Sequence, residues 1–97
     1  MAFAPLDPLL HSQLRLAVVS LLMTVDSAEF NFILEKTEAT QGNLSIQLKK
    51  LAAAHYIEIT KSFKNNYPNT TVSITKKGRS AFEKYVAEIS QYLNAGK

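Results

Sequence analysis

Apolar residues recur at helical spacing from about Leu9 to Thr24, where Leu10, Leu14, Ala17, Val18, Leu21, Leu22 and the neighbouring Val25 fall on one stripe. Leu9, Leu16, Val19 and Met23 form a second stripe, so this first helix is greasy on more than the face a small domain covers, and is either central or shared with a partner. Pro5, Asp7 and Pro8 ahead of it read as an irregular lead-in. Asp26, Ser27 and Ala28 break the periodicity, and Glu29 to Phe32 reads as a short extended piece before a second helix ending near Glu38, with Phe30, Ile33 and Leu34 inward. Thr40 is placed to cap a third helix through its hydroxyl. Leu44, Leu48 and Leu51, at i, i+4 and i+7, mark the buried stripe of that helix over about residues 40–54.

Alternation then replaces the helical period. From Tyr56 to Phe63 the chain places Ile57, Ile59 and Phe63 on one face and Glu58, Thr60 and Ser62 on the other. Lys64, Asn65, Asn66, Tyr67, Pro68 and Asn69 read as the turn, because Asn tolerates left-handed backbone and Pro cannot sit in a central ladder. Thr71 to Ile74 resumes the alternation with Val72 and Ile74 inward, closing a hairpin over about residues 57–74. Thr75 caps a last helix over about 76–94, with Phe82, Tyr85, Val86, Ile89, Tyr92 and Leu93 on one side. Such a helix is about 30 Å long, as wide as the domain itself, and an aromatic face of that length calls for a partner. The expectation is therefore a mainly α chain with a small β-hairpin and a long C-terminal helix.

Length and composition restrict what this arrangement can be. A chain of 97 residues with 46% hydrophobic and 20% charged side chains is expected to fold as one domain over residues 1–97, which excludes a disordered or collagen-like segment. With no cysteine there is no disulfide, thiolate metal site or cysteine nucleophile, and a reducing cytoplasm is the expected setting. Leu14 to Val25 carries Arg15 and falls short of the roughly 18 apolar residues of a bilayer span, so no membrane association is expected. Asp7, Pro8 and His11 ahead of it are not the basic lead of a signal peptide, and the start is read as mature structure. The net charge of +3 conceals a division: the segment from Lys36 to Arg79 carries +6 and the flanks −3. The middle of the chain faces an anion or water.

Two helices, a short turn, a third helix and a hairpin form the order of a winged helix-turn-helix. Leu6-Asp7-Pro8, Leu14-Arg15-Leu16, Gly42-Asn43-Leu44-Ser45, Tyr56 to Phe63 and Thr75-Lys76-Lys77-Gly78-Arg79 together resemble the short winged-helix transcriptional regulators related to the MarR and ArsR groups, over nearly the whole chain. The most specific portion is Gly42-Asn43-Leu44-Ser45 followed by Leu48 and Leu51, where the reading helix begins. The resemblance implies a homodimeric regulator of transcription that binds double-stranded DNA and pairs through its first and last helices. Leu9, Leu16, Tyr85, Ile89, Tyr92 and Leu93 are the candidate dimer contacts. Relatives often carry arginines at the wing tip, where this chain has Asn65, Asn66 and Tyr67.

With Leu44, Leu48 and Leu51 inward, steps of about 100° per residue turn Gly42, Asn43, Ile46, Lys49 and Lys50 outward, flanked by Gln41, Ser45 and Gln47. Asn and Gln can bond adenine through two atoms, Lys can reach guanine or phosphate, and Ile46 can touch a thymine methyl. Gly42 lets the backbone approach phosphate at the helix start. Lys61, Lys64, Asn65 and Asn66 add the candidate wing contacts. Lys76, Lys77 and Arg79 oppose the dipole of the last helix and read as a solvated cluster.

No catalytic or metal site is expected, and no cofactor. His11 and His55 lack cysteine or carboxylate neighbours at ligand spacing, Glu83 and Glu88 point in different directions, and Ser45 has no base beside it. The alternative function is a winged-helix adaptor that binds proteins without touching DNA, and the acid-free outer face of the third helix favours DNA over it. A small enzyme would need a pocket with paired titratable groups. The sequence discloses no small-molecule effector, since 97 residues leave no separate sensing domain, although the dimer interface is a place where one could lodge.

Overall fold

Leu44, Leu48 and Leu51 are buried, as their spacing predicts, and the core is organised around them. The computed structural model describes residues 3–95. Its elements are α1 (Gln13–Leu22), β1 (Ala28–Glu29), α2 (Phe30–Thr37), α3 (Gln41–Ala53), β2 (Ile57–Lys64), β3 (Tyr67–Ile74) and α4 (Lys76–Leu93). The three strands form an antiparallel sheet in the order β1-β3-β2. No described helix is long and apolar enough to cross a membrane.

The first helix starts later than its apolar pattern predicts. Asp7 competes for the backbone ahead of it: its Oδ1 accepts from Leu9 N at 2.9 Å and its carbonyl from His11 N at 2.9 Å. These bonds close a separate turn, and α1 begins at Gln13 after the extended Ser12. Leu10 still reaches the core from this turn and is fully buried. The two apolar stripes find their explanation within the chain, because α1 is central and packs on α2, α3, β3 and α4. Val19, read as part of a second stripe, is as fully buried as Val18, and Leu9 and Leu16 lie half-buried against the same core.

Helix α2 begins at Phe30, so of the extended piece expected over Glu29 to Phe32 only Glu29 is strand; with Ala28 it forms β1, paired with Thr71 and Val72. Glu38 ends α2 in left-handed backbone, φ 55°. Two residues later the Thr40 side chain accepts from Asn43 N at 3.2 Å, and α3 starts as a capped helix. At the other end His55 takes left-handed backbone, φ 64°, with His55 N donating to Ala52 O at 2.9 Å and Tyr56 N to Leu51 O at 3.0 Å. This pair of bonds is the Schellman closure, and it lets β2 begin immediately after α3.

The hairpin is longer and its turn tighter than the cluster of polar residues predicts. Lys64 pairs with Tyr67 across a two-residue turn of Asn65, φ 52°, and Asn66, φ 67°, the left-handed pair that matches strand twist. Pro68 therefore lies in β3, opposite Phe63. Next to a two-residue turn the second pair is the non-hydrogen-bonded one, so a proline there withholds no donor from β2. Phe63 keeps the face it shares with Ile57 and Ile59 but is 77% exposed, because the hairpin runs past the edge of the core.

Thr75 joins the sheet to the last helix. Its Oγ1 accepts from Gly78 N at 2.9 Å as the cap of α4 and donates to His55 O at 2.6 Å. Gly78 presses directly on the Tyr56 carbonyl: a Cβ at this position would lie 2.1 Å from that oxygen.

Candidate nucleic-acid interface

The buried stripe of α3 divides its remaining surface into an outer face and two flanks. Gly42, Ile46, Lys49 and Lys50 are exposed on the outer face, with Ile46 54% exposed. Gln41 and Asn43 are exposed in the first turn, where unpaired amides carry the positive end of the helix dipole. A Cβ at Gly42 would meet nothing within 4 Å, so packing does not require glycine there and the helix start lies open.

One flank faces the hairpin. Ser45, Leu48 and Lys49 of α3 meet Ile59 and Lys61 of β2 and Thr70 of β3 in a cleft of about 280 Å³. Lys49 and Lys61, distant in sequence, thus stand on opposite walls of one groove with no described carboxylate lining it. Lys64 does not join them. The register places it on the other face of the hairpin, and its Nζ lies 3.3 Å from Glu29 Oε1 in an exposed pair. Such a pair is worth little, yet it directs Lys64 away from the groove. Asn65 and Asn66 are exposed at the turn.

The other flank faces α1 and is internally engaged. Arg15 donates from Nε to Leu9 O at 2.6 Å and from Nη1 to Gln47 Oε1, and Gln47 Nε2 donates to Asn43 Oδ1 at 3.0 Å. Gln47 is half-buried and has both ends of its amide committed to protein partners, in contrast to the free base reader expected from its place beside Asn43. Asn43 stays exposed and takes part in this chain of bonds through its Oδ1. Arg15 was not a candidate in the sequence, and its only signal there is a lone cation within an apolar helix.

A second polar connection lies behind α3. Tyr56 donates its phenolic hydrogen to Asp7 Oδ2, and Lys77 Nζ lies 5.8 Å from the centre of the same ring. Burial, then the hydrogen bond to Asp7 and its charge, push the Tyr56 phenol from 10.0 up to about 12. Lys76, Lys77 and Arg79 are exposed on the first turn of α4.

The candidate dimer residues separate into two groups. Tyr85 is enclosed by its own chain at 6% exposure, with its Oη 3.0 Å from His11 Nδ1. This corrects the expectation that it lacked cover, since the turn before α1 supplies that cover. Leu9, Leu16 and Ile89 are half-buried against the core. Tyr92 and Leu93, 39% and 76% exposed, remain at the end of α4. There Tyr92 stacks on Phe3 at 4.7 Å and donates to Ala4 O at 2.8 Å.

A capped helix with an acid-free outer face, followed by a hairpin whose inner wall continues it, defines a helix-and-wing unit. Residues 14–93 match the model of the winged helix DNA-binding domain, and the chain belongs to that family. An uncharacterized protein of Methanocaldococcus jannaschii is 40% identical over 81 residues, which span 84% of this chain and 88% of that protein. A transcriptional regulator homologue from Pyrococcus horikoshii superposes with a TM-score of 0.84 at 22% identity, over 90% of this chain and 86% of that one. A MarR-family transcriptional regulator from Silicibacter pomeroyi superposes with a TM-score of 0.67 at 17% identity, over 84% of this chain and 54% of its own. The fold is therefore the winged-helix fold shared with MarR-like transcription regulators, with three helices, a β2–β3 hairpin and a long last helix.

Proposed function

We propose that the chain is a sequence-specific regulator of transcription that binds double-stranded DNA as a homodimer. The observation that carries this reading is the outer face of α3, a helix with no acidic residue, where Gly42, Ile46, Lys49 and Lys50 are exposed and run into Lys61 across the groove. Asn43 and Ile46 supply base contacts in the major groove, Lys49, Lys50 and Lys61 hold phosphates, and Gln47 fixes the angle of Asn43 through Arg15. Gln41, Gly42 and Ser45 approach the backbone at the start of the helix. Pairing uses the exposed end of α4, Tyr92 and Leu93, together with Leu9, Leu16 and Ile89 at its border, so that two reading helices meet a pseudo-palindromic site.

Selection of bound fragments from a random duplex library at controlled salt tests the reading, with light scattering on the same samples. The expected result is one enriched, two-fold symmetric motif and a dimer mass. Recovery of unselected sequences from a monomeric chain overturns it.

A further inference from the structure

An aromatic side chain, Phe63, stands exposed next to the hairpin turn, and the hairpin register fixes which way it faces. Ile57, Ile59, Lys61 and Phe63 share one face of β2, opposite Ile74, Val72, Thr70 and Pro68 of β3. At the base this face is core: Ile57 and Val72 are buried. One step out, Lys61 and Thr70 line the groove beside α3. The last pair on it is Phe63 and Pro68, with Phe63 77% exposed. Lys64 lies on the reverse face beside Glu29, so the cation nearest the tip does not compete for this side.

The tip is also preorganised. Both strands are paired from Ile57 and Ile74 to Lys64 and Tyr67, and two left-handed asparagines close them. From Ile59 to Phe63 the strand advances by about 13 Å at 3.3 Å per residue. The minor groove beside a helix seated in the major groove is half of a 34–36 Å turn away, or about 17 Å. A wing continuous with the outer edge of α3 therefore covers most of that distance along the strand, and the two-residue turn beyond Lys64 extends it toward the neighbouring groove.

Resting on the DNA-binding reading above, we propose that Phe63, backed by Pro68, is an apolar wedge that enters the minor groove and partly unstacks a base step, so that the wing selects deformable sequence without an arginine. A side chain inserted between base pairs costs least at flexible pyrimidine–purine steps and most in stiff A-tracts. Phe63 thereby adds a shape preference to the base contacts of α3. It adds no charge, and the counterions released on binding stay the same without it.

The test compares labelled duplexes of equal length, one of alternating TA steps and one of a continuous A-tract, titrated with wild type, Phe63→Ala, Phe63→Trp and Lys61→Ala at several salt concentrations. Wild type is expected to favour the TA duplex on the order of tenfold, the size of one aromatic–base contact. Phe63→Ala should bind both alike with an unchanged salt slope, and Phe63→Trp should retain the preference. The preference is a ratio on one protein sample, so a partly unfolded variant does not alter it. Equal binding of both duplexes by wild type, or a preference that persists in Phe63→Ala, overturns the wedge alone. A salt slope that falls in Phe63→Ala, or a change in its oligomeric mass, assigns Phe63 elsewhere and overturns it too. Wild type that binds neither duplex at low salt overturns the DNA reading itself.

Discussion

The two flanks of α3 are built from the same kinds of residue and behave differently. On the wing side, Ser45 and Lys49 look across an open groove to Lys61, and among the described residues neither lysine has an ion-pair partner. On the α1 side, Asn43 and Gln47 are ordered by Arg15, itself anchored on the Leu9 carbonyl. A recognition helix needs both conditions. Side chains that discriminate between bases gain from being held in place, whereas side chains that neutralise phosphate work from flexible stems as point charges. Under the proposed function, the contrast is between a flank that reads bases and a flank that anchors phosphate on one helix.

The most severe way to break this contrast is to remove its anchor. Arg15→Ala loses two charged hydrogen bonds at a half-buried site and should lower stability by about 1.5 to 3 kcal/mol in urea unfolding. Base preference should broaden as well, because Asn43 and Gln47 become free to rotate. Arg15→Lys should recover little, since an ammonium cannot reproduce the fork that reaches both partners. Unchanged stability and unchanged preference in Arg15→Ala would mean that the reading flank is not held.

Separate truncations sharpen the division. Asn43→Ala should cost about 1 to 3 kcal/mol on the preferred site and relax preference at one position. Gln47→Ala, which removes only an internal link, should show a loss of stability before any loss of base preference. The reverse pattern, with Gln47→Ala altering base choice at native stability, would place its amide on DNA. Lys49→Ala and Lys61→Ala should each weaken binding to all duplexes and reduce the salt slope by about one unit. Their unfolding midpoints should stay within about 0.5 kcal/mol of wild type in stability, as expected of exposed side chains without partners.

The smallest effect concerns the back of α3. A folded-state phenol raised from 10.0 to about 12 adds stability that is complete below pH 10 and is lost as pH rises towards 12. Tyr56→Phe should therefore flatten the stability–pH curve across that interval while leaving DNA binding near neutral pH intact. Equal slopes for the two proteins in alkaline urea titrations would show that the Asp7 contact does not persist in solution.

Much of this arrangement is legible in the residues because it is local. The stripe of Leu44, Leu48 and Leu51 and the caps at Thr40 and Thr75 depend on neighbours within one or two helical turns. The features that spacing does not disclose depend on distant partners or on the exact register. Gln47 is engaged by a residue 32 positions away, and Tyr85 is covered by His11, 74 positions away. Pro68 reads as turn because proline lacks a donor, and only the register shows that its position needs none. Alternation assigns Phe63 to the inner face correctly, but periodicity carries no information on where the core beneath that face ends.

The contact between Gly78 and the Tyr56 carbonyl fixes how the molecule can drift over generations. Every amino-acid replacement of a glycine adds a Cβ, which at position 78 would fall 2.1 Å from a backbone oxygen that has no freedom to rotate away. At Gly42 the same change meets nothing within 4 Å. One glycine holds the joint between the hairpin and the last helix and admits no variation, while the other stands at the start of α3, the helix proposed to read DNA, and is free to change. A lineage of such chains would keep the hinge point constant and place its diversity on the surface that meets DNA.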